Sequence, residues 1–427
     1  MSALYAPLRD SQRAEVGVTT TRLTADADRI LCAQALRAFA YGFGAVLLGS
    51  TLDRSGFSST EVGVVLAAVV GGTVFSSLAV GRWSDRWGRR RSYVVLYFAL
   101  AVTGVVFAFS DQVWVLSAVA LTGALSTEVV ESGPFTSLEQ AMLATDLSGR
   151  ARIRGFGLYN AVATAAGSIG ALAAGGPDIL RRVWSGTPAD QRFFLVFVPV
   201  ALAGAAVACT LSRLVEAAPE VSSLRAPSRL DRSRRTVVKL AGLFAVDSFG
   251  GGFVVQSFIA YWLTVEFHAS IGVLGVMFFA VGVLQTVAFL AATRLAERFG
   301  LLRTMVFTHL PSNAMLFAFP FAPNLLVAAL LLLGRATLSP MDVPTRQAYV
   351  MALVDPAERT PAAAVTNTAR YVVRPAGPAL AGVSQSLAFG LPFFLAGGIK
   401  STYDIVLWRW FRGVPLPDEE ASRDIRK

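Results

Sequence analysis

Residues 80–93 read VGRWSDRWGRRRSY. Gly81 and Gly88 bracket one acid, Asp85, which stands among five arginines: Arg82, Arg86, Arg89, Arg90 and Arg91. The two glycines permit close backbone approach and a tight turn. An acid so surrounded stays ionised and pairs locally. Apolar runs flank the stretch on both sides, over about Val62–Val80 and Tyr93–Phe109. Uninterrupted apolar runs of roughly 17–25 residues read as membrane-spanning helices. The stretch is therefore a short basic loop between two spans, and basic residues in short loops mark the cytoplasmic side.

Working outward, the same criterion gives twelve spans between Ile30 and Phe411, including single helices over about Val113–Ser132, Gly155–Ala174, Val237–Tyr261, Leu325–Pro344 and Pro361–Leu387. The runs do not alternate at period two, which excludes barrel strands. Of 427 residues, 54% are hydrophobic and 15% charged, with a mean hydropathy of +0.56. Soluble domains carry about a quarter charged residues. The net charge of +10 is no nucleic-acid signal, because the basic residues sit in short clusters between apolar runs and no binding module occurs. Loops after spans 2, 4 and 8 are arginine-rich, which puts both termini in the cytoplasm. The loop with Arg181, Arg182 and Arg192 is the exception. A polar linker at 215–236 separates a six-helix bundle at 30–214 from another at 237–411, with tails at 1–29 and 412–427. The N-terminus has no cleavable signal pattern.

The halves repeat. Residues 292–305, ATRLAERFGLLRTM, match the opening stretch at an offset of 212: Glu297 follows Asp85, Arg298 follows Arg86, Gly300 follows Gly88 and Arg303 follows Arg91. An offset of 207 pairs Gln140 with Gln347, Asn160 with Asn367, Gly170 with Gly377 and Gly175 with Gly382. This is the mark of a duplicated six-helix unit.

The motif Gly81, Asp85, Arg86, Gly88, Arg89, Arg90, with its degenerate copy Glu297, Arg298, Gly300, Arg303, resembles the signature loop of the major facilitator superfamily, and the resemblance covers about Ile30–Phe411. It implies an all-α fold of two pseudo-symmetric six-helix bundles. It also implies that Asp85 holds the halves together at the cytoplasmic side in the outward-facing state. The segment from Gly167 to Pro177 resembles the superfamily's glycine-rich antiporter motif, and reads equally as a close-packing site. Drug–proton antiporters of the superfamily often carry an arginine in helix 4; this chain has Glu128 and Glu131 there instead.

An ionisable group inside a span costs at least about 2.5–3.5 kcal/mol, so each is functional by default. Arg37, Glu128, Glu131, Asp247, Arg335 and Asp342 fall in spans 1, 4, 7 and 10, which line the central cavity in the superfamily. Arg370 and Arg374 fall in span 11; Lys400 and Asp404, one turn apart, can pair within span 12. Three uses stay open: proton exchange, for which Glu128, Glu131, Asp247 and Asp342 are candidates; solute binding, for which Arg37, Tyr41, Arg335, Arg370 and Arg374 are candidates; and purely structural pairing. Gly250, Gly251 and Gly252 serve either bending or close packing. Trp262, Trp408 and Trp410 read as an interfacial belt. Cys32 and Cys209 read as packing residues, and His268 and His309 lie near no carboxylate cluster. No metal spacing, nucleotide-binding loop or catalytic constellation occurs.

The favoured reading is a monomeric secondary transporter of a bacterial-type inner membrane, working by alternating access and without cofactors. It expels a small organic solute in exchange for protons. An importer or facilitative uniporter is the runner-up. A receptor or enzyme on a transporter scaffold is the reading from another class.

Overall fold

The structure, a computed structural model, describes residues 24–129, 133–146, 149–216, 230, 232–355 and 358–414. Glu131 lies outside these residues. The described chain contains helices and no strand. The first half holds α1 (Ala25–Arg54), α2 (Ser59–Trp87), α3 (Arg89–Phe109), α4 (Val113–Ala120), α5 (Pro134–Asp146), α6 (Gly149–Ala173), α7 (Gly176–Val183) and α8 (Phe197–Cys209). The second holds α9 (Arg234–Gly252), α10 (Gln256–Phe267), α11 (Ile271–Phe299), α12 (Leu301–Ala318), α13 (Leu325–Leu338), α14 (Asp342–Leu353), α15 (Arg359–Val373), α16 (Ala376–Leu387) and α17 (Leu391–Phe411). Seven stretches are long and apolar enough to cross a membrane. The remaining crossings of the twelve-span fold carry more polar residues or are assembled from shorter helices.

Four spans expected as single helices are broken, and local sequence explains each break. Between α4 and α5 the chain is non-helical over 121–129, and Gly123 and Gly133 have φ of 70° and 120°. Pro134 then starts α5. The glycine triplet ends α9 before α10 begins at Gln256. Ser339–Met341 forms a 3-10 turn around Pro340 between α13 and α14, and Pro375 separates α15 from α16. Proline removes a backbone donor and glycine weakens a helix. Such irregular backbone survives at membrane depth only inside protein or along a polar cavity.

The duplication is visible in the backbone. Gly88 joins α2 to α3 at φ 99°, and Gly300 joins α11 to α12 at φ 88°. Within each half, glycines let two helices cross closely. A Cβ on Gly42 would press into Gly167 of α6. One on Gly252 would lie 2.9 Å from the Cα of Gly377 in α16.

Between the halves, two further glycine crossings are related by the same repeat. Gly63 of α2 faces Gly382 of α16, where a Cβ would lie 2.8 Å from the opposing Cα. Gly175 faces Gly272 of α11 at 2.9 Å. Ser257 donates to the carbonyl of Ala45 at 2.8 Å, and the N–H of Gly272 donates to Asp178 at 2.8 Å. All of these contacts lie at the end of the bundle away from the termini. That end also explains the exceptional basic loop: Arg181 pairs with Asp178 and Asp190, Arg54 pairs with Asp190, and Arg192 stacks on Phe109. Of the loop's three arginines, Arg181 is thus ion-paired and Arg192 lies over an aromatic ring.

At the end bearing the termini the halves stand apart around a vestibule of about 640 Å³. Gln140 and Asn160 line one wall and Gln347 and Asn367 the other, so the amide pairs of the sequence repeat face each other across it.

Gly382→Val should wedge the closed end apart at a cost of about 1–3 kcal/mol, roughly tenfold in the conformational equilibrium. Cys32 and Cys209 are free and exposed, contrary to their reading as packing residues, and must first become serine. A cysteine at Gln140 should then react severalfold more slowly with a membrane-impermeant maleimide in Gly382→Val than without it. An unchanged rate means that the glycine crossing does not hold this state.

Candidate functional site

Where the broken spans face one another, the halves enclose a cavity of about 290 Å³. The non-helical segment of span 4 brings Thr127, Glu128 and Val129 to it; α9 brings Asp247 and Ser248; the break in span 10 brings Arg335, Ser339 and Asp342. Arg346, Arg370, Arg374, Lys400 and His309 complete its charged lining, and Gln256 and Gln285 also reach it. Arg370 and Phe289 border both this cavity and the vestibule, so the two spaces adjoin there.

The charges are organised. Lys400 Nζ donates to Asp247 Oδ1 at 2.5 Å. Arg346 donates to Asp342 at 2.5 Å and reaches Asp247 at 3.5 Å. His309 Nδ1 lies 3.0 Å from both oxygens of Asp404, and its Nε2 lies 4.0 Å from Asp247. Asn313 donates to Asp404 at 2.8 Å. Lys400 therefore pairs with Asp247 on another helix and not with Asp404 in its own. Gly250 leaves room for this, since a Cβ there would lie 2.9 Å from Lys400 Cγ. Arg374, at the break of span 11, pairs with Glu128 of the other half. Among the described ion pairs this one alone crosses between the halves.

Arg37 and Tyr41 do not line the cavity. Both are fully buried inside the first half. Arg37 holds Glu139 through two hydrogen bonds, of 3.0 and 2.8 Å, and Tyr93 and Tyr159 donate to the same carboxylate at 2.8 and 2.7 Å. Tyr41 donates to the carbonyl of Ala124. Glu128 lies on the non-helical segment of span 4 and not on a helix. In the signature loop, Asp85 pairs with Arg89 at 2.8 Å; Arg89 also donates to the carbonyls of Ala141 and Val215, and Arg90 to that of Leu211. Glu216 accepts the N–H of Arg89. The loop is thus anchored within the first half. In the second copy, Glu297, Arg298 and Arg303 are exposed.

Sequence reasoning missed Glu139, Arg346 and the role of His309. His309 was read as remote from carboxylates, yet Asp247 and Asp404 flank it. The signal was present in the repeat. An offset of 210 pairs Arg37 with Asp247, 207 pairs Glu139 with Arg346, and 212 pairs Tyr97 with His309. Each half carries one buried ion pair at the same helix crossing, with the signs exchanged. Among the described residues, no group of three or more histidine, cysteine or acidic side chains could hold a metal ion.

Two helical halves around one charged cavity, sealed at one end, define a polytopic membrane transporter fold. The chain belongs to the Major Facilitator Superfamily, whose profile matches residues 30–378 and 240–427. It is 26% identical over 413 residues to an uncharacterised membrane protein of Saccharomyces cerevisiae, covering 89% of this chain and 92% of that one. It is 28% identical over 152 residues to YceJ, an uncharacterised MFS-type transporter of Bacillus subtilis, covering 35% and 37%. Among solved structures, a D-xylose–proton symporter superposes with a TM-score of 0.70 at 16% identity, covering 90% of this chain and 98% of that one. The inward-open xylose transporter XylE of E. coli gives 0.69 at 15%, covering 91% and 97%. The nucleoside transporter NupG gives 0.66 at 14%, covering 91% and 98%. At these identities the structural likeness is one of fold.

Asp247→Asn leaves Lys400 buried without its carboxylate and should destabilise the protein by about 3–5 kcal/mol. Adding Lys400→Met should recover most of the loss, because an apolar replacement of a buried pair is close to neutral. Thermal unfolding in detergent reads both. A double variant no more stable than the single one contradicts the pairing.

Proposed function

We propose that the protein is a proton-coupled secondary transporter that expels a small organic solute by alternating access, with both termini in the cytoplasm. The observation that carries this reading is the run of titratable groups from the cavity wall into the second half: Asp247 on the wall, Lys400 and His309 against it, and Asp404 behind His309. A proton on Asp247 would weaken both of its ion pairs, to Lys400 and Arg346, and so alter how α9, α14 and α17 hold one another. Proton occupancy is then linked to the packing of the half that must move. Glu128 and Asp342, also on the lining, are further proton carriers in this scheme.

The exposed arginines of the signature loop and its copy support a cytoplasmic assignment for the open end, which makes the conformation inward-facing. The resemblance of the segment from Gly167 to Pro177 to the antiporter motif supports antiport, and hence efflux, although the contact of Gly175 with Gly272 at the closed end is one of close packing. Among the described ion pairs, Asp85 is held by Arg89 of its own loop in this state. That is consistent with a gate engaged only when the open end closes.

With a solute found by thermal-shift screening, an imposed proton gradient across proteoliposomes should drive solute against the proton flow. Asp247→Asn should lose that drive while retaining solute exchange at zero gradient. Flux in the same direction as the protons replaces efflux with symport, and flux indifferent to the gradient removes coupling altogether.

Asp85→Asn should insert normally and transport severalfold more slowly, read as initial rates at matched protein density. Equal rates refute the gate.

A further inference from the structure

We propose that the solute of this cavity is an organic anion and that Arg335 holds its negative group, an inference that rests on the transport reading above. The three described acids on the lining are each already engaged: Glu128 with Arg374, Asp247 with Lys400 at 2.5 Å, and Asp342 with Arg346 at 2.5 Å. Arg335 is different. Its side chain makes no hydrogen bond or ion pair among the described residues, and its Nε is buried without an acceptor. Among the described lining residues, five side chains are cationic and three are carboxylates.

An arginine stays charged in any protein environment. The residue is half-buried, and holding its Nε away from water with no acceptor is unfavourable. Arg335 sits in the last turn of α13, where the helix dipole favours a cation only weakly. That preference is too small to explain the residue structurally. A planar guanidinium suits a carboxylate or phosphate oxygen pair, which it can bind through two parallel donors. The remaining lining sets the rest of the ligand. Leu332, Ile259, Phe278 and Phe289 present apolar surface beside the charge, and a volume of about 290 Å³ fits a small molecule. The ligand class is a small anion with a compact apolar or aromatic body.

Benzoate, benzamide and benzamidine share one shape and differ in charge, and phenyl phosphate adds a second anion. Binding of these four probes to the full-length protein in nanodiscs, with no proton gradient, should show saturable affinity for the two anions and none for the neutral and cationic members. Arg335→Gln should weaken anion binding by about tenfold to a hundredfold, the loss of one charge-assisted contact. Arg335→Lys should keep part of it. Ser339→Asp places a carboxylate one turn from an intact Arg335, and should abolish anion binding while leaving the unfolding temperature of the free protein as high as wild type. Failure of both anions to bind overturns the proposal. So does equal binding by benzamide or benzamidine, or wild-type benzoate affinity in Arg335→Gln and Ser339→Asp. Since no gradient is applied, anion selectivity without proton-driven flux would sink the coupling and leave this site standing, and coupled flux with cation preference would do the reverse.

Discussion

Hydrocarbon supplies neither water nor counter-ion, so each ionised group carried into the bilayer must find its partner within the protein. Both halves meet that constraint at the same helix crossing, by Arg37 with Glu139 in one and Asp247 with Arg346 in the other. The first pair is sealed by tyrosine hydroxyls and has no exposed atom on either residue. It works as a structural rivet. The second opens onto the cavity and has acquired Lys400, His309 and Asp404 as neighbours. One duplicated locus is thus sealed inside one half and open to the cavity in the other.

At the other end of the bundle the two halves close firmly on each other. Glycine crossings serve this. Gly63 on Gly382 and Gly175 on Gly272 bring backbones together through dispersion contacts, with few hydrogen bonds to break. Among the described residues the one ion pair across the cavity, Glu128 with Arg374, lies between two broken spans. Broken helices are the price of a polar lining: where α4, α9, α13 and α15 end, side chains and backbone turn toward the cavity instead of toward lipid.

Much of this was legible in the sequence. Twelve apolar runs, the repeat offsets of 212 and 207, and the glycine–acid–arginine loop define the fold and the family. Asp247, Asp342, Glu128, Arg335, Arg370 and Arg374 all reach the cavity, because charge in a span has nowhere else to go. Arg37 and Tyr41 followed the same rule and met it differently, by pairing inside their own half. Glu139 and Arg346 escaped because the spans were ended at the preceding Ser132 and Pro344, whereas the chain restarts a helix beyond the break. Hydropathy averages over a window and does not register a non-helical turn that stays at membrane depth. His309 was discounted because its carboxylates are distant in sequence. Trp262, read as part of an interfacial belt, packs instead among Phe267, Phe319, Phe389 and Phe393. A single aromatic in an apolar run carries no sign of which neighbour it will meet.

Alternating access, as proposed, requires one rigid-body exchange, in which the end bearing the termini closes as the other opens. Leu78 and Val372 are exposed on opposite walls of the vestibule, and Val183 and Leu387 are exposed near the closed end. Spin labels on each pair, measured in nanodiscs as pH is varied, give the distance across each end. The account predicts two populations at both ends, with the shorter distance across the vestibule accompanied by the longer one at the opposite end. A single fixed distance at either end, or both ends opening together, would contradict it.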